Sequence, residues 1–192
     1  MGILIGDVTD KGVPSAIYMA QVHALIYAEA GRAASPSTVL LRANELMLKI
    51  SASSLFATVL YGVLDQRSGT FTYARAGHER PLLAIPGESA SLLHGSQGQP
   101  LGLFDQPTLD EQQLSLPADG VLVLYTDGVT DGRSVDGEPF GLPSLTQQVT
   151  LQAGQPAQEV CNHLLESLQR YQGGADQDDD ITLVAIHRSA HG

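Results

Sequence analysis

Residues 55–65, LFATVLYGVLD, are apolar on both alternating faces, and no other stretch limits the fold as tightly. Successive strand side chains point to opposite sides, so a strand apolar on both sides has to be covered on both. It belongs in the middle of a layered structure, with helices or a second sheet over each face. Short turns lead from it into TFTYARAG and RPLLAI, the pattern expected of an antiparallel meander.

The flanking segments supply the layers. ILIGDV reads as a strand from almost the first residue, which predicts a chain that starts inside a larger domain. From Pro14 to Ala30, Ala16, Ala20 and Ala24 recur every fourth residue between large apolar side chains, so a helix packed closely on a flat surface is expected. In SPSTVLLRANELMLKI, Ser35 suits an N-cap and Pro36 the first helical position. Val39, Ala43, Leu46, Met47 and Ile50 form the stripe of that second helix. LDEQQLSL and VLVLYTDG flank the turn PADG as further strands. PAQEVCNHLLESLQRYQ reads as a helix with Val160, Cys161, Leu164, Leu168 and Tyr171 on one face, and ITLVAIHR closes the chain as a strand. This order predicts an α+β sandwich, because the middle strands follow one another through short turns.

With 192 residues and 43% hydrophobic content, one domain with a sizeable core is expected. The formal net charge of -11 argues against nucleic acid or an anionic membrane as partner and for cations. No apolar run approaches the length of a membrane span, and MGILIGDV has neither a basic leader nor a cleavage site, so a cytoplasmic protein is expected. Cys161 excludes an internal disulfide and reads as a small core residue. His23 and His163 fall in helical patterns without metal-ligand spacing.

The acids are the candidate chemistry. Asp7 ends the first strand, Asp127 ends VLVLYT before a glycine, and Asp178 to Asp180 precede the last strand. Each taken singly can cap a helix, hold a turn or stand in solvent. If the strand ends meet, the carboxylates repel one another unless protons or cations bind. An oxygen-only ligand set favours Mg2+ or Mn2+ over zinc. His78, in AGH, invites either a general-acid role or the organisation of a tight turn after Gly77. Lys11 reads as a phosphate-attracting or a solvated lysine.

Five segments in order, IGDVTDKGVPSAIYMA, FATVLYGVLDQRSGTFTYARAGHERPLL, PLGLF, VLVLYTDGVTDGRSVDGEPFG and DDDITLVAI, resemble the SpoIIE/RsbU-type branch of the PPM metal-dependent serine/threonine protein phosphatases. The resemblance spans nearly the whole chain. It implies a four-layer αββα sandwich of two mainly antiparallel sheets flanked by helices, here without the first strands. It also implies one domain over residues 1–192, the C-terminal output part of a larger regulatory protein with a sensor or receiver domain upstream.

By the same resemblance, two Mn2+ or Mg2+ ions are expected. Asp7 corresponds to the carboxylate bridging them, and the Val8 carbonyl is a further ligand. Asp127 matches the aspartate of the TDG motif. Asp179 matches the first acid of DDIT, with Asp180 beside it, and Asp131 corresponds to a ligand of a more weakly held third ion. Catalysis would run through water activated by metal at Asp7, Asp127 and Asp179, with no protein nucleophile. The implied substrate is phosphoserine or phosphothreonine of an anti-sigma factor antagonist. The family's Gly-Gly-Asp segment ahead of GDV is absent from this chain, which leaves open a catalytically weak binding module in the same circuit, or a purely structural cation site. Exposed sheet edges make a homodimer plausible.

Overall fold

Backbone pairing sorts the strands into two antiparallel sheets, in a computed structural model that describes residues 1–33, 35–50 and 55–190. In chain order the elements are β1 (Gly2–Val8), α1 (Val13–Ala30), α2 (Pro36–Ile50), β2 (Ala57–Asp65), β3 (Thr70–Ala76), β4 (Leu82–Ala84) and β5 (Ser91–Leu92). They continue with β6 (Asp110–Ser115), β7 (Val121–Tyr125), α3 (Asp127–Thr130), α4 (Gly141–Leu151), α5 (Ala157–Gln172) and β8 (Leu183–His187). One sheet has the order β1-β2-β3-β6 and the other β5-β4-β7-β8. They lie in two compact units, Met1–His78 with Gly95–Ser115, and Glu79–His94 with Leu116–Gly192.

In the first unit, β1 pairs with β2 from Gly2↔Val63 to Val8↔Ala57, and β2 pairs with β3 from Leu60↔Arg75 to Asp65↔Thr70. Strand alternation then gathers Val8, Val59, Tyr61 and Ala74 on one face, under Tyr18, Val22 and Ile26 of α1 and Val39, Leu40 and Met47 of α2. Each fully buried large aliphatic side chain contributes about 1.5–3 kcal/mol. The opposite face is buried too, at Leu60, Phe71 and Tyr73. The strand that is apolar on both sides is therefore covered on both. Gly62 leaves room for the stacked Phe71 and Tyr73 rings, whose centroids are 5.2 Å apart. A Cβ there would come within 2.5 Å of the Phe71 ring.

The second unit repeats the scheme. Leu82, Val121, Val123 and Tyr125 form the face that packs under Leu145, Val149, Val160, Leu164 and Leu168. β7 is buried at every position.

Four sequence expectations change. The alanines of α1 do not pack on the sheet: Ala16, Ala20 and Ala24 are exposed, and Ser15, Tyr18, Val22, Ile26 and Glu29 are buried. The helix is apolar nearly all round, so its periodicity could not select the packed face. In α2 the buried stripe takes in Leu40 and Asn44, and Ile50 is exposed. The meander stops after two strands, because β4 pairs with β7 and β5, and β6 takes the place beside β3. Gly77 turns the chain away with a φ of 77° that a side chain would resist. Finally, α4 was not read as a helix, since Gly141 and Pro143 hide the spacing of Leu145 and Val149. Ser35 meets its expectation: its hydroxyl accepts the Thr38 N–H at 3.3 Å.

Candidate metal centre

Asp7 lies in β1 opposite Thr58 of β2, and it is half-buried. The turn after it is tightly specified. Thr9 donates its N–H to the Phe56 carbonyl at 3.1 Å, and its hydroxyl accepts the Phe56 N–H at 3.2 Å. Ser15 donates its hydroxyl to the Thr9 carbonyl at 3.1 Å. The N-cap of α1 is Gly12, with a φ of 91°, so the capping role open to Asp7 in the sequence falls to a residue five positions later. Val8 is buried in the core under α1 and α2.

The other candidate acids belong to the second unit. Thr126 follows β7 as the N-cap of α3 and Asp127 begins the single turn of that helix, where Asp131 returns its N–H to the Asp127 carbonyl at 2.8 Å. The loop of Asp179 and Asp180 is latched to this turn at three points. The Thr126 hydroxyl donates to the Asp180 carbonyl at 3.1 Å and accepts the Thr182 N–H at 3.0 Å. The Thr126 N–H donates to the Thr182 carbonyl at 3.1 Å. Gly128 makes the approach possible, because a Cβ there would overlap the Asp180 carbonyl. Thr126 was not singled out in the sequence, although a threonine ending an apolar strand before an acid was the available signal.

The electrostatics link three of these acids. The Asp127 carboxyl titrates above its ordinary value, first because burial disfavours its charge, and then because Asp179 and Asp131 repel it. Of the three consecutive acids, Asp179 is the one whose charge raises Asp127. Its Oδ1 accepts the Asp180 N–H at 3.0 Å, and the Asp178 and Asp180 side chains are exposed. Among the described residues, no three His, Cys, Asp or Glu side chains stand arranged as a metal cage. Asp179 and Asp131 nevertheless both oppose the ionisation of Asp127, and this all-oxygen donor set fits a hard divalent cation.

The histidines and the cysteine make other contacts. His163 hydrogen-bonds Gln148 Oε1 at 3.0 Å, and His23 stacks on Tyr27. His78 is buried, with Nδ1 3.2 Å from the Thr58 hydroxyl. Burial pushes the Cys161 thiol up, away from reactive thiolate.

Known proteins resemble this chain in sequence and fold. Bacillus subtilis phosphoserine phosphatase RsbU is 27% identical over 188 residues, which is 98% of this chain and 56% of RsbU. The chain therefore spans about half the length of that relative. Among solved structures, the SiaA-PP2C domain of Pseudomonas aeruginosa superposes with a TM-score of 0.85 at 24% identity, over 97% of this chain and 75% of that one. The catalytic domain of the serine/threonine protein phosphatase PstP, solved with two manganese ions, has a TM-score of 0.68 at 13% identity, over 98% of this chain and 88% of that one. The fold is thus that of the PP2C phosphatase domains, α+β with two antiparallel sheets flanked by helices. Residues 1–189 match the family described as Stage II sporulation protein E (SpoIIE), and the chain belongs to that family.

Proposed function

We propose that this chain is a Mn2+- or Mg2+-dependent phosphoprotein phosphatase domain, acting on phosphoserine or phosphothreonine of a regulatory protein of the anti-sigma factor antagonist type. The observation that carries this reading is the latch of Thr126 and Gly128 that holds the Asp179 loop against the Asp127 turn, where burial and the charges of Asp179 and Asp131 raise the pKa of Asp127. Such a group is strained without a cation and relieved by one. The name of RsbU and the manganese ions of PstP support the same reading.

The ligands would be Asp7, the Val8 carbonyl, Asp127, Asp179 and Asp180 for two ions, with Asp131 toward a more weakly held third. When bound, the ions supply the Lewis acidity that activates water and offsets charge on the transferred phosphoryl group. The protein's own contribution is placement. Thr126 and Gly128 hold the Asp179 loop against the Asp127 turn, and Thr9 and Ser15 hold the turn that follows Asp7. As one part of a longer signalling protein, the domain would act in the cytoplasm below a sensor or receiver domain. Among the described residues, no helix is long and apolar enough to cross a membrane.

Hydrolysis of a phosphoserine peptide tests this directly, with Mn2+, with EDTA, and in folded Asp7→Asn and Asp127→Asn variants. The expected result is turnover that needs Mn2+ and falls at least about a hundredfold in each variant. Turnover that persists in EDTA, or that ignores Asp127→Asn, overturns the proposal.

A further inference from the structure

On the sheet face that carries Asp7 lies a buried polar chain that the acids at the strand ends do not account for. Arg75 is 1% exposed, inside the first unit. Its Nε and Nη2 donate to Asp110 Oδ2 at 3.4 and 3.2 Å. Nη1 donates to the His78 carbonyl at 2.9 Å, and Nη2 also donates to the Ser96 carbonyl. The second Asp110 oxygen accepts from Gln112 Nε2 at 2.7 Å. Both charges are thus surrounded by partners inside the unit.

A buried ion pair is poor evidence for stability, because desolvation consumes most of the Coulombic gain and an apolar pair of similar volume serves as well. This pair instead fixes a geometry. The carbonyl that Arg75 grips belongs to His78, one residue beyond the Gly77 turn. That turn is further pinned by the Gly77 N–H on the Gln97 carbonyl at 3.0 Å. His78 Nδ1 then shares a hydrogen bond of 3.2 Å with the Thr58 hydroxyl. Thr58 stands directly opposite Asp7 in the β1–β2 register, so the two side chains leave the sheet on the same face as nearest cross-strand neighbours. Asp110, Arg75, His78 and Thr58 therefore form a continuous series of contacts ending beside Asp7.

We propose that Thr58 and His78 are positioning residues for the Asp7 carboxylate, held in place by the Arg75–Asp110 pair. This rests on the metal-dependent reading and deepens it. Arg75 has no accessible surface with which to meet a substrate, and its contribution is transmitted through the His78 turn. Outer groups of this kind hold a ligand ready for its ion and typically change metal affinity by about 10–100-fold.

Calorimetric titration with Mn2+ of the wild type, Thr58→Val and Thr58→Ser tests the proposal. Valine keeps the β-branched shape and removes the hydroxyl, and serine keeps the hydroxyl. Mn2+ affinity should fall about tenfold in Thr58→Val and return in Thr58→Ser. Wild-type affinity in Thr58→Val, or equal damage in both variants, overturns it. A second measurement needs no metal: in EDTA, the effects of Thr58→Val and Asp7→Asn on thermal stability should be non-additive. Additive effects overturn the positioning chain. A wild type that binds no Mn2+ sinks the metal reading alone, and the coupling between Thr58 and Asp7 then decides whether the chain of contacts acts on Asp7.

Discussion

Asp127 holds a charge that its surroundings disfavour, and the consequence can be measured without any substrate. Its folded pKa lies above the ordinary 3.8, chiefly through burial and then through Asp179 and Asp131. Between the unfolded and folded values the folded chain binds the extra proton, so stability falls as pH rises through that window and stays lower above it. In EDTA at pH 7, Asp127→Asn should therefore melt above the wild type, and the gap should narrow as pH falls toward 4. A melting series over pH checks this, and a variant less stable than wild type at pH 7 would contradict it. Gly128 makes a complementary case. Gly128→Ala places a methyl group into the Asp180 carbonyl, so backbone must shift at the point where the two acidic segments are latched. A loss of about 1–3 kcal/mol is expected, read as a lower urea midpoint.

At the scale of elements, α1 shows what local patterning can and cannot decide. Its run of apolar residues made a helix predictable, but the face that packs is set by Tyr18, Val22 and Ile26 meeting the sheet. Near its end Glu29 is buried and accepts from Arg32 Nη1 at 3.3 Å, and Arg42 of α2 approaches it at 3.7 Å. This ties the two helices together through partners that are themselves well exposed. Glu29→Gln should consequently cost no more than about 1 kcal/mol, and 1 M salt should erase most of the difference from wild type. A salt-independent loss would mean that Glu29 acts by packing. α2 was readable down to its cap because Ser35 and Pro36 are local signals, whereas α4 was missed because its start carries residues that usually end helices.

For the whole molecule, an acidic chain with a net charge of -11 and a buried Asp127 whose charge is opposed by Asp179 and Asp131 should be stabilised by the cation it binds. At a hundredfold excess of Mn2+ over its Kd, linkage adds about 2.7 kcal/mol, or roughly 5–10 °C in Tm for a chain of this size. Differential scanning fluorimetry with Mn2+ and with EDTA checks this, and no shift at millimolar Mn2+ counts against a metal site. The sequence alone determined the α+β class, the strand that must be covered on both faces, the second helix with its cap, and the acids at strand ends. These follow from side-chain periodicity and turn chemistry, which are properties of neighbouring residues. Only the tertiary structure decided that β4 leaves the meander for β7, that Asp179 and not its neighbours raises Asp127, and that Arg75 is sealed against Asp110. Each of those depends on which distant segments come to share a sheet or a low-dielectric interior, and that choice is made by the summed packing of the chain.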